Sequence, residues 1–228
     1  MSRIRRTCVS LMVVGAVVAA AQAQPAQRQR RGRGRASRGS LIGLVSMEQV
    51  QKDIGLDADQ VAKVKKVADT LNAEMRKESA GLREIEDRAK RMAKYAELGS
   101  KFDKKAREQL EPVLGRDKMK RLDQIRLQVR STLESLGTKS IADRLKITDE
   151  QKKKLAAIAK DMQAKRTELF ASMRDASQED RRAAFDKYRK MREETEKSAL
   201  AVLTAAQKKT FEQLKGKKIE LTRPQRSR

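Results

Sequence analysis

The stretch VLTAAQKKTFEQL, residues 202–214, contains a Leu-Thr-x-x-Gln motif that decides how this chain folds. Its pattern is an apolar residue, a Thr or Asp, two free positions and a Gln, which is typical of a capping box. The Thr or Asp side chain accepts a hydrogen bond from the backbone N–H three residues later, and the Gln reaches back to the N–H of the cap. Each copy of the motif therefore predicts the start of a helix.

The same pattern recurs along the chain. ITDEQ at 147–151 and LDADQ at 56–60 follow it, whereas LGRDK at 114–118 has Gly at the cap and Lys in place of the Gln, and we interpret it as a degenerate copy. The capping roles predicted for the intact copies are structural and not catalytic. They fall on Leu56, Asp57, Gln60, Ile147, Thr148, Gln151, Leu203, Thr204 and Gln207.

Alignment of the copies on one another indicates an internal repeat. With an offset of 91 residues, Val50, Ile54 and Val64 fall on Ile141, Leu145 and Leu155, and an offset of 89 aligns residues 113–125 with 202–214. We interpret this as a helical unit that is present twice, as unit 1 at 41–135 and unit 2 at 136–214. Chance similarity between two Lys- and Glu-rich helical stretches is the alternative.

Composition and periodicity predict an all-α fold. Charged residues make up 38% of the chain, aromatic residues 3%, and there are three prolines. Apolar residues three and four apart from Val61 to Ala96 predict one long helix, and no segment alternates with the period of a strand. We expect elongated antiparallel helical hairpins without a sheet. The predicted helices span about 46–54, 58–97, 101–112, 116–135, 138–145, 149–174, 178–202 and 205–214.

The first 23 residues predict a signal peptide. Three arginines precede an apolar run at 8–20, and Ala21 and Ala23 fit an A-x-A cleavage site. The apolar run is shorter than the roughly 20 residues that span a bilayer, so we expect cleavage and no stable membrane span. The expected location is the periplasm or another exported compartment, and removal of the peptide would take away Cys8, the only cysteine.

Basic segments flank the predicted helices. An Arg/Gly-rich linker at 24–40, expected to be disordered, and a basic tail at 215–228 contribute to a formal net charge of +24. Anionic lipid or envelope polymer is the expected partner of these segments. Nucleic acid is a weaker expectation because neither segment has an aromatic residue for base stacking. Simple solvation is the alternative. The candidate anion-binding residues are Arg28, Arg30, Arg31, Arg33, Arg35, Arg38, Lys215, Lys217 and Lys218.

The residue types argue against an enzyme. Histidine is absent and the single cysteine lies in the predicted signal peptide, so His and Cys are missing as metal ligands or nucleophiles. No phosphate-binding or zinc-protease motif is present. Carboxylates such as Glu84, Glu86 and Asp87 lie among basic residues, as on a solvated helix. We predict no catalytic site, no metal and no cofactor.

Paired Leu-Thr-x-x-Gln motifs, clearest in LTAAQ at 203–207 and ITDEQ at 147–151, resemble those of the Spy/CpxP family of bacterial periplasmic proteins. The resemblance covers residues 41–214. It implies a thin, curved helical dimer that acts as an ATP-independent chaperone, holding unfolding proteins on a basic, partly apolar concave face. Two units in one chain depart from the usual single unit, so a homodimer and an intramolecular pseudo-dimer both remain open.

These observations lead to one functional hypothesis and one alternative. The hypothesis is an exported holdase that binds unfolding or misfolded envelope proteins on a basic helical surface, with methionines as adaptable apolar contacts. A methionine stripe at helical spacing is, however, more often core than binding surface. The alternative is an envelope structural or binding protein whose basic arms bind anionic lipid, polymer or nucleic acid.

Overall fold

The computed structural model describes residues 39–173 and 176–221. Within these ranges all regular structure is helical, so the predicted all-α fold is confirmed. The predicted signal peptide, with Ala21 and Ala23, lies outside the described residues, as do the six linker arginines from Arg28 to Arg38. The helices are α1 (Leu41–Val45), α2 (Glu48–Asp53), α3 (Ala58–Ala80), α4 (Arg88–Val129), α5 (Thr132–Leu136), α6 (Lys139–Leu145), α7 (Asp149–Ala171), α8 (Gln178–Ala201) and α9 (Ala205–Lys215).

The single helix predicted over 58–97 is wrong, because the chain reverses direction there. α3 ends at Ala80, a 3-10 turn follows at Gly81–Glu84, and α4 begins after Asp87. The Asp87 carboxylate accepts from the backbone N–H of Ala89 at 2.8 Å and of Lys90 at 3.1 Å, which starts the second helix. The pattern of apolar residues three and four apart continues through this turn in the sequence, because both helices of the hairpin have apolar residues at that spacing.

Ion pairs across the hairpin show that α3 and α4 run antiparallel. Lys101 pairs with Glu78 at 2.6 Å and Lys105 with Glu74 at 2.8 Å, so a later residue of α4 meets an earlier residue of α3. α7 and α8 pack against each other in a second hairpin.

Further helix boundaries differ from the prediction. The expected break between 97 and 101 is absent, while the expected break near 114 is a kink at Gly115, with φ 73° and ψ 171°. The predicted helix at 46–54 is α2, and α1 before it was not predicted. The predicted helix at 116–135 stops at Val129, because Ser131 caps α5 by accepting from the N–H of Glu134 at 3.1 Å.

The order of elements is the same in the two halves of the described chain. α1 and α5 begin at Leu41 and Thr132, and α3 and α7 begin at Ala58 and Asp149, each pair 91 residues apart. α3 and α7 are both 23 residues long. The backbone agrees at one unusual position as well, since Gly55 and Lys146, also 91 residues apart, have φ of 66° and 51°.

Each half has its own hydrophobic core. α1 to α4 form the first core around Leu44, Leu110 and Leu122, and α5 to α9 form the second around Leu136 and Phe211. Most aligned apolar pairs are buried in both halves, as with Val64 and Leu155 or Ile54 and Leu145. Two buried pairs differ in chemistry: Leu41 aligns with Thr132, and Leu44 aligns with Ser135, which like Leu44 is 0% exposed.

The ends of the described chain are more ordered than a solvated linker and tail. Ser40, within the predicted linker, caps α1 by accepting from the N–H of Gly43 at 3.0 Å, and the Gly39 carbonyl accepts from Arg126 Nε at 3.0 Å. Lys215, the first residue of the predicted tail, is the last residue of α9. Residues 216–221, which we call the C-terminal strap, are not helical and return to pack on α4.

Candidate functional site

All three capping boxes are formed in the structure, at Asp57, Thr148 and Thr204. In unit 2 the Gln151 Oε1 atom accepts from the Thr148 N–H at 3.0 Å, and the Gln207 Oε1 atom accepts from the Thr204 N–H at 2.9 Å. The hydroxyls of Thr148 and Thr204 each accept from the N–H of the following Gln at 3.2 Å. Each motif thus provides acceptors for backbone N–H groups at the start of its own helix, which have no partner within that helix.

The motif glutamines also join the two helix starts. Gln151 and Gln207 exchange amide hydrogen bonds, Nε2 to Oε1, of 2.7 and 3.0 Å. Each amide then donates to the loop before the other helix: Gln151 to the Val202 carbonyl at 2.9 Å, and Gln207 to the Leu145 carbonyl at 3.1 Å. We call this arrangement the glutamine clamp; it holds the beginning of α7 against the beginning of α9.

Unit 1 contains the same clamp with one substitution. Gln60 donates to the Val113 carbonyl at 2.9 Å, as Gln151 does to Val202. Lys118 stands where unit 2 has Gln207, and its ammonium donates to Gln60 Oε1 and to the Gly55 carbonyl, both at 2.6 Å. The degenerate copy at 114–118 therefore makes the clamp contacts with a cation in place of an amide.

The α7–α8 hairpin is a second candidate surface, apart from the glutamine clamp. Only Leu155, Ala184 and Ala199 are buried in these two helices, which the structure describes over their whole length. The Phe170 and Tyr188 rings meet edge to face at 5.6 Å. Phe185 is 48% exposed. Seven further large apolar side chains of the hairpin are half-buried outside the second core: Ile158, Met162, Leu169, Phe170, Met173, Tyr188 and Met191.

An open groove lies between the end of α4, the side of α8 and the C-terminal strap. Its volume is about 1090 Å³. Phe185, 48% exposed, forms part of its wall, together with half-buried apolar side chains. The apolar lining residues are Leu127, Val129, Phe185, Tyr188, Ile219 and Leu221, and the cationic ones are Arg130, Arg189, Arg192, Lys215 and Lys218.

Several charges at the groove are already paired within the chain. Arg189 pairs with Asp186 at 3.0 Å, and Lys215 pairs with Glu212 at 2.7 Å while its ammonium lies 4.5 Å from the centre of the Phe211 ring. Lys215, predicted as an anion-binding residue, is therefore engaged by its own helix. Lys217 and Lys218 lie exposed on the strap. The groove thus combines an apolar lining with a charged rim, which suits an amphipathic polypeptide.

Comparison with known families gave a match in the second half of the chain. Residues 133–215 match the model of the LTXXQ motif family. The matched stretch runs from α5 to the end of α9 and contains both glutamines of the clamp in unit 2. The Spy/CpxP resemblance is thereby supported for unit 2, while residues 41–132 lie outside the match. Searches of curated proteins and of solved structures gave no match.

Two kinds of feature are absent from the part of the chain that the structure describes. Between residues 39 and 221, leaving out 174 and 175, no three His, Cys, Asp or Glu side chains are grouped so that they could hold a metal ion. Over the same part of the chain, no helix is long and apolar enough to cross a membrane.

Proposed function

We propose that the chain is an exported, ATP-independent holdase that binds unfolding proteins on the α7–α8 hairpin and in the adjoining groove. The observation that carries this proposal is the partial exposure of the hairpin's apolar side chains, beside a groove of about 1090 Å³ with a charged rim. Unfolding proteins expose apolar side chains, and burial of that surface drives association. Methionines such as Met162 and Met191 suit clients of varied shape because their side chains are flexible and polarizable.

Charge supports the same function. The chain carries a formal net charge of +24, and α4 alone contains 13 basic and six acidic residues. A basic surface raises the rate at which acidic segments of an unfolding protein are encountered, and that effect weakens as salt rises. Contact through apolar side chains would then hold the client without a nucleotide cycle.

We further propose that the chain is a tandem duplication whose two units form an intramolecular pseudo-dimer. The support is the 91-residue spacing of α1 and α5 and of α3 and α7, together with a clamp in each unit. A chain with both halves already joined needs no second copy, so sedimentation at micromolar concentration should give the mass of a monomer. A stable dimer would contradict the pseudo-dimer.

The holdase proposal is tested by light scattering from a reduced, aggregating model protein without ATP. The chain from residue 24 to 228 should suppress scattering at near-stoichiometric ratios. Phe185→Ser should raise the concentration needed for half suppression about fivefold, because contact with the exposed half of a Phe is worth roughly 1 kcal/mol. Lys187→Ser, at an exposed position of the same helix, is the matched control and should stay near the parent value.

Absence of suppression by the parent chain would refute the holdase. Vesicles that contain anionic lipid should then be tested across a salt series. Binding that weakens steeply with salt would favour the alternative of an envelope-binding protein acting through its basic arms.

A further inference from the structure

The C-terminal strap is held on α4 in the way an extended peptide is held by a binding protein. Gln128 Nε2 donates to the carbonyls of Lys215 and Lys217 at 2.7 and 2.8 Å, and its Oε1 accepts from the N–H of Ile219 at 2.9 Å. Arg121 Nη1 adds a bond of 2.8 Å to the Lys217 carbonyl. Three of these four contacts are made to the strap backbone, so they would be available to a chain of any sequence; the Lys215 carbonyl belongs to the last residue of α9.

Side chains of the strap alternate as in an extended segment. Ile219 and Leu221 are half-buried and pack against the first core, while Lys218 and Glu220 are exposed. Alternation of this kind places every second side chain on the same face. We call the surface of α4 beneath the strap, which includes Gln128 and Arg121, the seat. The seat therefore accepts two apolar side chains that are two residues apart.

We propose that this seat is a binding site for extended client segments, and that the strap occupies it as a displaceable internal competitor. The inference rests on the proposed holdase function and assigns a client site to it. The seat opens directly into the groove, because Ile219 and Leu221 also line the groove wall. A client that displaced the strap would therefore contact the seat together with the α4 and α8 sides of the groove, which include Leu127 and Phe185.

Charge indicates which clients fit best. The strap carries Lys217 and Lys218 against one acidic residue, Glu220, and docks on a chain with a formal net charge of +24. Arg121 of the seat is paired with Asp53, and the groove is lined by Asp186, Glu193, Glu196 and Glu212 as well as by its cations, so the opposing charge is that of the chain as a whole. The strap is thus a basic segment docked on a basic protein, and like charges oppose its docking. We infer that the preferred client is an extended segment with two apolar side chains at alternate positions and acidic residues beside them.

One glycine allows the strap to be loosened without changing the seat. Gly216 has φ 61° and ψ −157°, a conformation open essentially to Gly alone, and an added Cβ would lie 2.4 Å from Gln124 Oε1. Gly216→Ala should therefore move the strap off α4, while Gln128, which is not among the atoms nearest the added Cβ, remains in place. Glu220→Ala is the matched control, since Glu220 is exposed in the same segment.

The test measures fluorescence anisotropy of a labelled peptide with the sequence KGKKIEL of residues 215–221. Gly216→Ala in the chain of residues 24–228 should bind this peptide roughly tenfold more tightly than the parent, since the competitor no longer occupies the seat. Gln128→Ala added to Gly216→Ala should abolish the gain. A peptide with aspartates in place of the two central lysines should bind more tightly still at low salt, and the difference should shrink as salt is added.

Two outcomes would overturn the proposal: equal peptide binding by the parent and Gly216→Ala, or a gain that survives Gln128→Ala. A second variant, Ile219→Ser with Leu221→Ser, loosens the strap through its apolar contacts and should reproduce the gain if the seat is real. Thermal melting checks that each variant is folded. Peptide binding that occurs without suppression of aggregation would retain the seat and reject the holdase, whereas suppression without peptide binding would do the reverse.

Discussion

Gln151 and Gln207 lie 56 residues apart in sequence and exchange two amide hydrogen bonds of 2.7 and 3.0 Å. Each amide also accepts from the N–H of its own helix cap and donates to the loop before the other helix. One side chain thus starts a helix and fixes where that helix meets its neighbour. This double role gives a physical reason for a Gln, since the cap alone needs only an acceptor at that position.

Replacement of Gln207 by Ala should therefore reduce the free energy of unfolding by more than the loss of a helix cap would. The change removes the amide pair and leaves the Leu145 and Lys146 carbonyls without their side-chain donor. We expect a loss of about 2–3 kcal/mol in the free energy of unfolding, measured by urea denaturation. Gln213→Ala, at an exposed position of the same helix, should change it by less than about 0.5 kcal/mol. Similar losses for the two variants would contradict the clamp.

The clamp of unit 1 offers a test of chemical equivalence. Lys118→Gln restores the residue type of unit 2, and its amide can donate to Gln60 Oε1 or the Gly55 carbonyl, so the free energy of unfolding should change by less than about 1 kcal/mol. Lys118→Met keeps the length of the side chain but removes the donor. It should lower the free energy of unfolding by about 1–3 kcal/mol, because the Gly55 carbonyl loses its Lys118 donor and Gln60 Oε1 keeps only the Asp57 N–H, at 3.4 Å. If Met were tolerated as well as Gln, the Lys118 contacts would carry no energy.

A partly buried ion pair anchors α1 to α4. Asp103 accepts from Arg126 and from Arg130, and its Oδ1 accepts from the Leu41 N–H at 3.4 Å. Burial lowers the pKa of the Arg126 guanidinium, and the neighbouring Arg130 lowers it further, whereas Asp103 raises it. The carboxylate thus holds two cations together, and its loss leaves them facing each other.

Asp103→Ala should consequently reduce the free energy of unfolding by about 2–3 kcal/mol, after allowance for partial solvent screening. The control is Asp123→Ala. The Asp123 side chain is 40% exposed and that of its partner Arg107 is 43% exposed, so this change should reduce the free energy of unfolding by less than about 1 kcal/mol. Urea denaturation in low and high salt measures both losses. A smaller loss for Asp103 than for Asp123 would reverse the predicted order.

Local patterns in the sequence predicted the starts of α3, α7 and α9, because a capping box acts over three residues. The exchange between Gln151 and Gln207 could not be predicted in that way, since it depends on the packing of loops far apart in the chain. The aligned offsets of 91 and 89 residues did indicate that the two motifs belong to one unit.

Turns between hairpin arms were harder to predict from periodicity. The stripe from Val61 to Ala96 crosses the reversal at 81–87, since antiparallel helices share the same spacing of apolar residues. Met92 belongs to the predicted stripe, yet it is 51% exposed, whereas the buried face of α4 begins at Leu98. Gly81 followed six residues later by Asp87 is the local signal for this turn, a helix end and then a helix cap.

The packing of the C-terminal strap on α4 could not be predicted from sequence patterns either. The segment from Gly216 to Leu221 is short and basic, and its two apolar residues resemble a solvated tail until the Gln128 contacts are known. Only the fold brings Gln128 beside a segment that follows it by about 90 residues in sequence.

Ser135 is one of two buried positions, with Thr132, at which unit 2 has a polar residue where unit 1 has a core leucine. Its hydroxyl is buried and has no hydrogen-bond partner within the described residues, where the aligned residue Leu44 fills the first core. Burial of an unpartnered hydroxyl costs about 1–3 kcal/mol. Ser135→Ala should therefore raise the free energy of unfolding by about 1 kcal/mol or more, measured by urea denaturation. Ser198→Ala, at an exposed position of α8, isolates the gain in helix propensity, which is at most about 0.5 kcal/mol. If Ser135→Ala gained no more than Ser198→Ala, the buried hydroxyl would carry no penalty, and a bound water or a local shift would have to satisfy it.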